Sequence, residues 1–237
     1  MTRQILTQLD DDCLAFPPLA HALKEPNGLL AIGGDLTPAR ILLAYEQGIF
    51  PWFSEQDPIL WWSPDPRAVI YTDQLRINKT LRKFLKKTNY TVSVNHAFEE
   101  VIDLCADAPF RDEDTWILPE MLAGYIELHH KGHAHSIEVW HEQELIGGLY
   151  GVAVNGHFSG ESMFYKKPNA SKVALVALQQ LLSSIGGKFI DCQLQNPFMQ
   201  DLGCVEISRK EFIKLQQAMS KLQVPNNFWQ PRFLTLL

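Results

Sequence analysis

Two short stretches hold the residues whose types could do chemistry. Residues 147–165, GGLYGVAVNGHFSGESMFY, contain one carboxylate, Glu161, in an otherwise apolar and glycine-rich run. Burying a carboxylate in such surroundings is costly unless it is paired or used. Leu149, Val152, Val154, Phe158, Met163 and Phe164 offer apolar and aromatic walls beside it. They read either as plain core or as a pocket for an apolar side chain, and Glu161 favours the pocket. Glycines inside strands mark bulges or a close approach of a ligand to backbone. The second stretch is FIDCQLQN, residues 189–196. Alternation along a strand puts Asp191, Gln193 and Gln195 on one face and Ile190, Cys192 and Leu194 on the other. An aspartate beside a side-chain amide can position an amine and assist loss of its proton.

Other chemistries find no matching pattern. The glycine-rich run lacks GxxxxGK[ST] spacing and is not a GxGxxG turn, so it is no nucleotide-phosphate loop. His129, His130, His133 and His135 lie close together without HExxH or a thiolate or carboxylate at matching spacing. No metal is expected there; these histidines belong to a helix end and a strand start. No GxSxG elbow is present. Cys13, Cys105, Cys192 and Cys204 form no CxxC pair, which fits reduced and mostly buried thiols.

The chain has 237 residues and a net charge of −6, which alone discourages nucleic-acid binding. The distribution says otherwise. Residues 76–87, RINKTLRKFLKK, carry six basic side chains and no acid, leaving 15 basic against 27 acidic residues, or −12, elsewhere. On a helix Ile77, Leu81, Phe84 and Leu85 share a stripe, and Arg76, Lys79, Lys83, Lys86 and Lys87 lie off it. This face is either simply solvated or a phosphate-binding surface. Trp52, Trp61, Trp62 and Trp116, with Tyr45 and Tyr125, are core aromatics or platforms for unpaired bases.

The elements that must position these residues follow from local signals. Thr37, Pro38 and Gly48 punctuate a short helix. The Pro- and Trp-rich FPWFSEQDPILWWSPDPRAVIY then closes a small N-terminal domain, 1–65, ahead of a larger one, 66–237. A strand is expected at Tyr90 to Val94, helices in HAFEEVIDLCA and LPEMLAGYIELHHKG, and then a run of strands. Those strands turn at His141 to Glu144 and at the Asn155-Gly156 hairpin signal. NASKVALVALQQLLSSIGG is a long helix capped by Asn169 or Ser171. The sum is an α+β protein, a sheet layered with helices. No apolar run approaches the roughly 20 residues that span a bilayer, and the N-terminus has acids where a signal peptide has its apolar core. A cytoplasmic protein with no membrane association is expected.

EPNGLLAIGGDLTPARILLAYEQGIFPWF, PILWWSPDPRAV, GHAHSIEVW, GGLYGVAVNGHFSGESMF, NASKVAL, FIDCQLQN and PNNFWQPR together resemble the bacterial leucyl/phenylalanyl-tRNA protein transferases over almost the whole chain. The resemblance implies a small N-terminal domain joined to an N-acetyltransferase-like mixed sheet. It also implies a monomer and no cofactor. The implied activity moves Leu, Phe or, less well, Met from aminoacyl-tRNA to the α-amino group of proteins beginning with Arg or Lys, marking them for N-degron degradation. Carried over residue by residue, Asp191 and Gln193 are the catalytic pair, and Tyr45, Trp52, Trp116, Tyr125, Glu161 and Asn196 contact the terminal adenosine and ester. Leu149, Phe158, Met163 and Leu175 form the pocket walls, and Lys79, Lys83, Lys86 and Lys87 meet the tRNA acceptor stem. The chain departs from the family in having lysine at those four positions, where arginine is frequent, and leucine at 149, where methionine can stand. A coenzyme A dependent N-acetyltransferase and a noncatalytic tRNA-binding module are the alternatives. The first lacks its pyrophosphate loop in NASKVAL, and the second gives no reason for Asp191 and Gln193.

Overall fold

The computed structural model describes residues 6–107, 117–154 and 156–236. A first sheet comes from the N-terminal part: β1 (Thr7–Leu9), β2 (Leu29–Gly33), β3 (Phe50–Pro51) and β4 (Leu60–Trp62), ordered β1-β2-β4-β3. Between β2 and β3 runs α1 (Pro38–Glu46), started by a proline and stopped by Gly48 at φ +76°. Thr37 precedes it but makes no side-chain cap; its hydroxyl bonds Asp35 instead.

The second sheet has eight strands. In chain order the remaining elements are β5 (Arg67–Tyr71), α2 (Lys79–Leu85), β6 (Thr91–Val94), α3 (Phe98–Ala106), α4 (Pro119–His130), β7 (Ala134–His141), β8 (Glu144–Val154), β9 (His157–Tyr165), α5 (Ala170–Ser184), β10 (Phe189–Gln193), α6 (Pro197–Asp201), β11 (Val205–Ile207), α7 (Arg209–Met219) and β12 (Arg232–Leu234). Their order is β11-β5-β10-β9-β8-β7-β6-β12. The pairs are antiparallel except β9 with β10, which run parallel and meet only at Phe158↔Ile190 and Ser159↔Asp191. Beyond that short contact the two strands part.

Alternation along the strands splits the core. Leu149, Ile137, Phe158 and Ile190 face α5, whose long apolar stripe includes Val173, Ala174, Leu178 and Leu182. Tyr150, Val152, Val154 and Phe164 face the other way, onto α1, α3 and α4. A smaller cluster, Val69, Phe189, Ile207 and Phe212, lies under α7. This is the mixed α+β architecture expected, although β11 and β12 carry little local signal of their own. Among the described residues no helix is long and apolar enough to cross a membrane. Cys13 is exposed, Cys105 and Cys204 are buried, Cys192 is half-buried, and all four are free.

Candidate active site

Two breaks in strand register create the site. Opposite β8, Tyr150 pairs with Ser162 and Gly151 with Gly160, so Glu161 is an extra residue bulged out of β9. A bulge bends its strand and re-aims a side chain. It also explains why Phe158 and Met163, five apart, pack on the same face. Gly151 is required opposite the bulge, because a Cβ there would collide with the Ser159 carbonyl oxygen and the Phe158 ring. The second break lies in β10. Asp191 pairs with Val69 and Gln193 with Ala68, so Cys192 is the extra residue. Gln193 itself has φ 55°, and the Leu194 N–H closes a three-residue turn onto the Cys192 carbonyl at 2.6 Å.

That turn corrects the alternation read from FIDCQLQN. The strand ends at Gln193, and Gln195 lies beyond it with its amide on the Cys204 carbonyl at 3.0 Å. Asp191 is fully buried, and its neighbour Ile190 packs under α5, so its carboxylate turns to the opposite side of the sheet. There Arg67 clasps it, Nε to Oδ1 at 2.8 Å and Nη2 to Oδ2 at 2.7 Å. Ser159 donates to Oδ2 at 2.9 Å and the Gln193 N–H to Oδ1 at 3.1 Å. Burial pushes this carboxyl up, but the Arg67 charge and these hydrogen bonds outweigh it and hold Asp191 below the usual carboxylate range. With four donors already on it, Asp191 is a fixed negative charge.

Glu161 behaves oppositely. It is half-buried in the gap where β9 and β10 part, and it accepts the Gln193 side-chain amide at 2.8 Å and the Tyr125 hydroxyl at 3.1 Å. Tyr45 and Tyr125 share a short bond of 2.6 Å between their hydroxyls. Burial dominates and raises Glu161 to about 7, the tyrosine hydroxyls and Arg67 pulling it partly back. Of the two carboxylates at this junction, Glu161 is the one able to change protonation near neutral pH.

Beside this pair opens a cavity of about 410 Å³, and Leu149, Met163, Leu175, Glu161, Asp191, Gln193 and Asn196 all border it. Ile190, Leu178, Phe198 and Met199, not singled out in the sequence, complete its apolar wall. The Asn196 side-chain oxygen caps α6 at the Met199 N–H, 2.9 Å away, leaving its NH₂ group to meet a ligand. Phe158, expected in the wall, is fully buried in the core against Trp229. Tyr45 and Tyr125 are buried on the far side of the sheet and reach the cavity only through Glu161. Trp52 is 42% exposed and packs on Trp62 at 5.7 Å. Trp116 and Asn155 lie outside the described residues.

Lys79, Lys83, Lys86 and Lys87 are all exposed on and just after α2, while Leu81 is buried and Phe84 and Leu85 half-buried beneath. The helix is shorter than the basic stretch, starting at an Asn78 cap. No group of three or more metal-ligating side chains occurs among the described residues. Sequence reasoning missed Arg67 and Ser159. The available signal was a single basic residue opening the apolar strand RAVIY.

The leucyl/phenylalanyl-tRNA protein transferase family matches residues 69–217, and the N-terminal domain of that family matches residues 34–65. Proteins named leucyl/phenylalanyl-tRNA–protein transferase are similar along the whole chain. The one from Colwellia psychrerythraea is 60% identical over 99% of both chains. The one from Idiomarina loihiensis is 50% identical over 98% of both. Among solved structures, L-PGS from Bacillus licheniformis aligns with 70% of this chain and 53% of its own at 14% identity and a TM-score of 0.38, too slight a likeness to bear on either fold or substrate. Identity at this level over nearly the full length leaves one conclusion: this chain belongs to the leucyl/phenylalanyl-tRNA protein transferase family.

Proposed function

We propose that this chain moves Leu, Phe or, less well, Met from aminoacyl-tRNA onto the α-amino group of proteins that begin with Arg or Lys, marking them for N-degron degradation. It does so as a cytoplasmic monomer. The observation that carries this reading is the polar pair Glu161 and Gln193 on the wall of an otherwise apolar cavity, in a chain of this family. The apolar part, with Leu149, Met163 and Leu175, suits an aliphatic or aromatic side chain such as those of Leu, Met and Phe. The polar rim suits the ester and amine. We read the larger sheet as N-acetyltransferase-like, with residues 66–237 forming the catalytic domain behind a small domain of residues 1–65.

The reaction is aminolysis of an ester. The acceptor nitrogen attacks the ester carbonyl, a C–N bond forms, the C–O bond to the terminal ribose breaks, and the amine proton ends on the departing alcohol or on solvent. The ester itself supplies the driving force for amide formation. A neutral amine is present in useful fraction because an α-amino group has a pKa of about 7.7 to 8.0. Gln193 orients that amine through its side-chain carbonyl, since its NH₂ is committed to Glu161. Asp191, fixed and ionised, favours the positive charge that develops on the attacking nitrogen. Glu161 anchors ammonium or hydroxyl groups at the rim. The lysines of α2 attract the acceptor-stem phosphates, and Trp52 and Trp116 are read as contacts for the terminal adenosine.

The test is direct. Labelled Phe-tRNA incubated with a peptide beginning with Arg is expected to yield peptide-linked label, and a peptide beginning with Ala is expected to yield none. No transfer to the Arg peptide, or transfer of label from acetyl coenzyme A in its place, overturns the reading.

A further inference from the structure

Arg67 opens β5 fully buried, and every face of its guanidinium is engaged. One edge makes the paired bonds to Asp191, Nη1 donates to the Gly48 carbonyl at 3.1 Å, and the plane lies between the rings of Phe50 and Phe212 at 4.8 and 4.6 Å. The fork is therefore held by partners from the segment after α1, from α7 and from β10. A buried ion pair by itself is weak evidence for anything beyond local structure. Here the same oxygen that accepts Arg67 Nε also accepts the backbone N–H of Gln193. Gln193 is in a left-handed conformation that residues with a Cβ rarely adopt and that persists only where the surroundings impose it. Its side chain is the one that meets Glu161. The chain of contacts runs Arg67 to Asp191 to the Gln193 backbone to the Gln193 amide.

We propose that Arg67 is a positioning residue for aminoacyl transfer: its clamped guanidinium fixes the Asp191 carboxylate in the orientation that imposes the Gln193 turn, and so sets the Gln193 side chain against Glu161 in the cavity. This rests on the activity proposed above. Because Asp191 has no vacant acceptor toward the cavity, it too acts through Gln193 and through its charge. Gly48 and Phe50 belong to the same segment that follows Tyr45, so the clamp also ties the N-terminal sheet to the turn carrying Gln193. Lysine cannot replace the fork: it keeps the charge but makes no paired planar bonds and does not fill the space between the two rings.

The experiment compares wild type, Arg67→Lys, Asp191→Asn and the double variant in single-turnover transfer from Phe-tRNA, alongside hydrogen exchange at the Gln193 amide. For Arg67→Lys, a fall in kcat of about tenfold to a hundredfold is expected, with KM for Phe-tRNA within about threefold of wild type. Its effect is expected to shrink to within about twofold in the Asp191→Asn background, because both changes break one chain of contacts. The Gln193 amide is expected to exchange about tenfold faster. A kcat within about twofold of wild type, or the same loss in both backgrounds, overturns the proposal. So does unchanged Gln193 exchange. Should wild type transfer no label, the activity reading falls, while the exchange rates still decide whether Arg67 holds Gln193. Should Arg67→Lys fail to fold, Phe212→Leu removes one of the rings that hold the Arg67 guanidinium while leaving its charge in place. A kcat loss confined to the Asp191 background is then expected, and an equal loss with and without Asp191→Asn overturns the idea.

Discussion

Gln193 donates its side-chain amide to Glu161, Nε2 to Oε1 at 2.8 Å, across the gap where the parallel strands β9 and β10 part. Both residues sit at breaks in register, Glu161 as the extra residue of β9 and Gln193 just after the extra residue of β10. A regular ladder would leave neither side chain free to cross that gap. The bond links the group held near neutral pKa to the residue held by the Asp191 charge, so the two can be probed separately.

Glu161 is raised to about 7 by burial, so transfer is expected to change with pH through that region as Glu161 ionises. In Glu161→Gln this limb is expected to vanish, leaving only titration of the acceptor amine at about 7.7 to 8.0. Single-turnover rates across the range check it, and an unchanged limb in Glu161→Gln assigns the titration to another group. The same shift acts on stability. The folded value lies above the ordinary carboxylate value of 4.5, so the contribution is full below that value and is lost as pH rises through about 7. Glu161→Gln is thus expected to raise the melting midpoint relative to wild type at about pH 8 more than at about pH 5. A gain of about 1 kcal/mol corresponds to about 2–4 °C in a chain of this size.

Tyr125→Phe removes a donor that favours ionised Glu161. The pH midpoint of the rate is expected to move upward, and Tyr45→Phe is expected to move it in the same direction. A downward shift contradicts the hydrogen-bond account of this carboxylate.

Asp191→Asn keeps size but leaves the buried Arg67 charge unpaired. Breaking such a pair typically costs about 3–5 kcal/mol, so the denaturant midpoint is expected to fall. Turnover is expected to fall about a hundredfold or more with donor binding nearly intact. A loss below about tenfold removes Asp191 from the chemical step. Because its folded pKa is depressed, Asp191 stabilises the fold above its ordinary value of 3.8 and that contribution is lost as pH falls through the folded value. Acid unfolding below about pH 4 is therefore expected to be steeper in wild type than in Asp191→Asn.

Leu149 borders the cavity and Phe158 does not. Leu149→Phe is expected to reduce Phe transfer more than Leu transfer, a size effect of about 1–3 kcal/mol. Phe158→Leu is expected to lower stability by about 1 kcal/mol or more and to leave the ratio of Phe to Leu transfer alone. A changed ratio in Phe158→Leu would put that ring back in the pocket wall.

Replacing Lys83 and Lys87 by Ala is expected to weaken tRNA binding and flatten its salt dependence by about one to two counterions. Transfer from an aminoacyl-adenosine lacking the acceptor stem is expected to stay near wild type. Equal loss with both donors contradicts a phosphate-binding role for these exposed side chains.

Much of the architecture was present in local sequence. Pro38 and Gly48 bracket α1, the positive φ of Glu142 forms the turn between β7 and β8, and the long apolar stripe of α5 covers one sheet face. Each depends on neighbours within a few residues, where steric preference and periodicity act directly. The identity of Glu161, Asp191 and Gln193 as unusual residues was equally local, because a polar group in an apolar strand stands out by itself. Their relationship was not. Alternation put Asp191, Gln193 and Gln195 on one face, and a single extra residue, Cys192, undid that, because strand side chains repeat every two residues and one insertion reverses all that follow. Arg67 lies 124 positions before Asp191, and Tyr45 lies 80 before Tyr125. Such pairings are set by which strands meet and where β9 and β10 part, quantities that come from packing the whole chain. The sequence alone determined the longer elements, the basic helix and the candidates Glu161, Asp191 and Gln193. Only tertiary structure decided that one carboxylate is locked as a charge by Arg67 and the other is left to titrate, because that difference arises from burial and from partners distant in the chain.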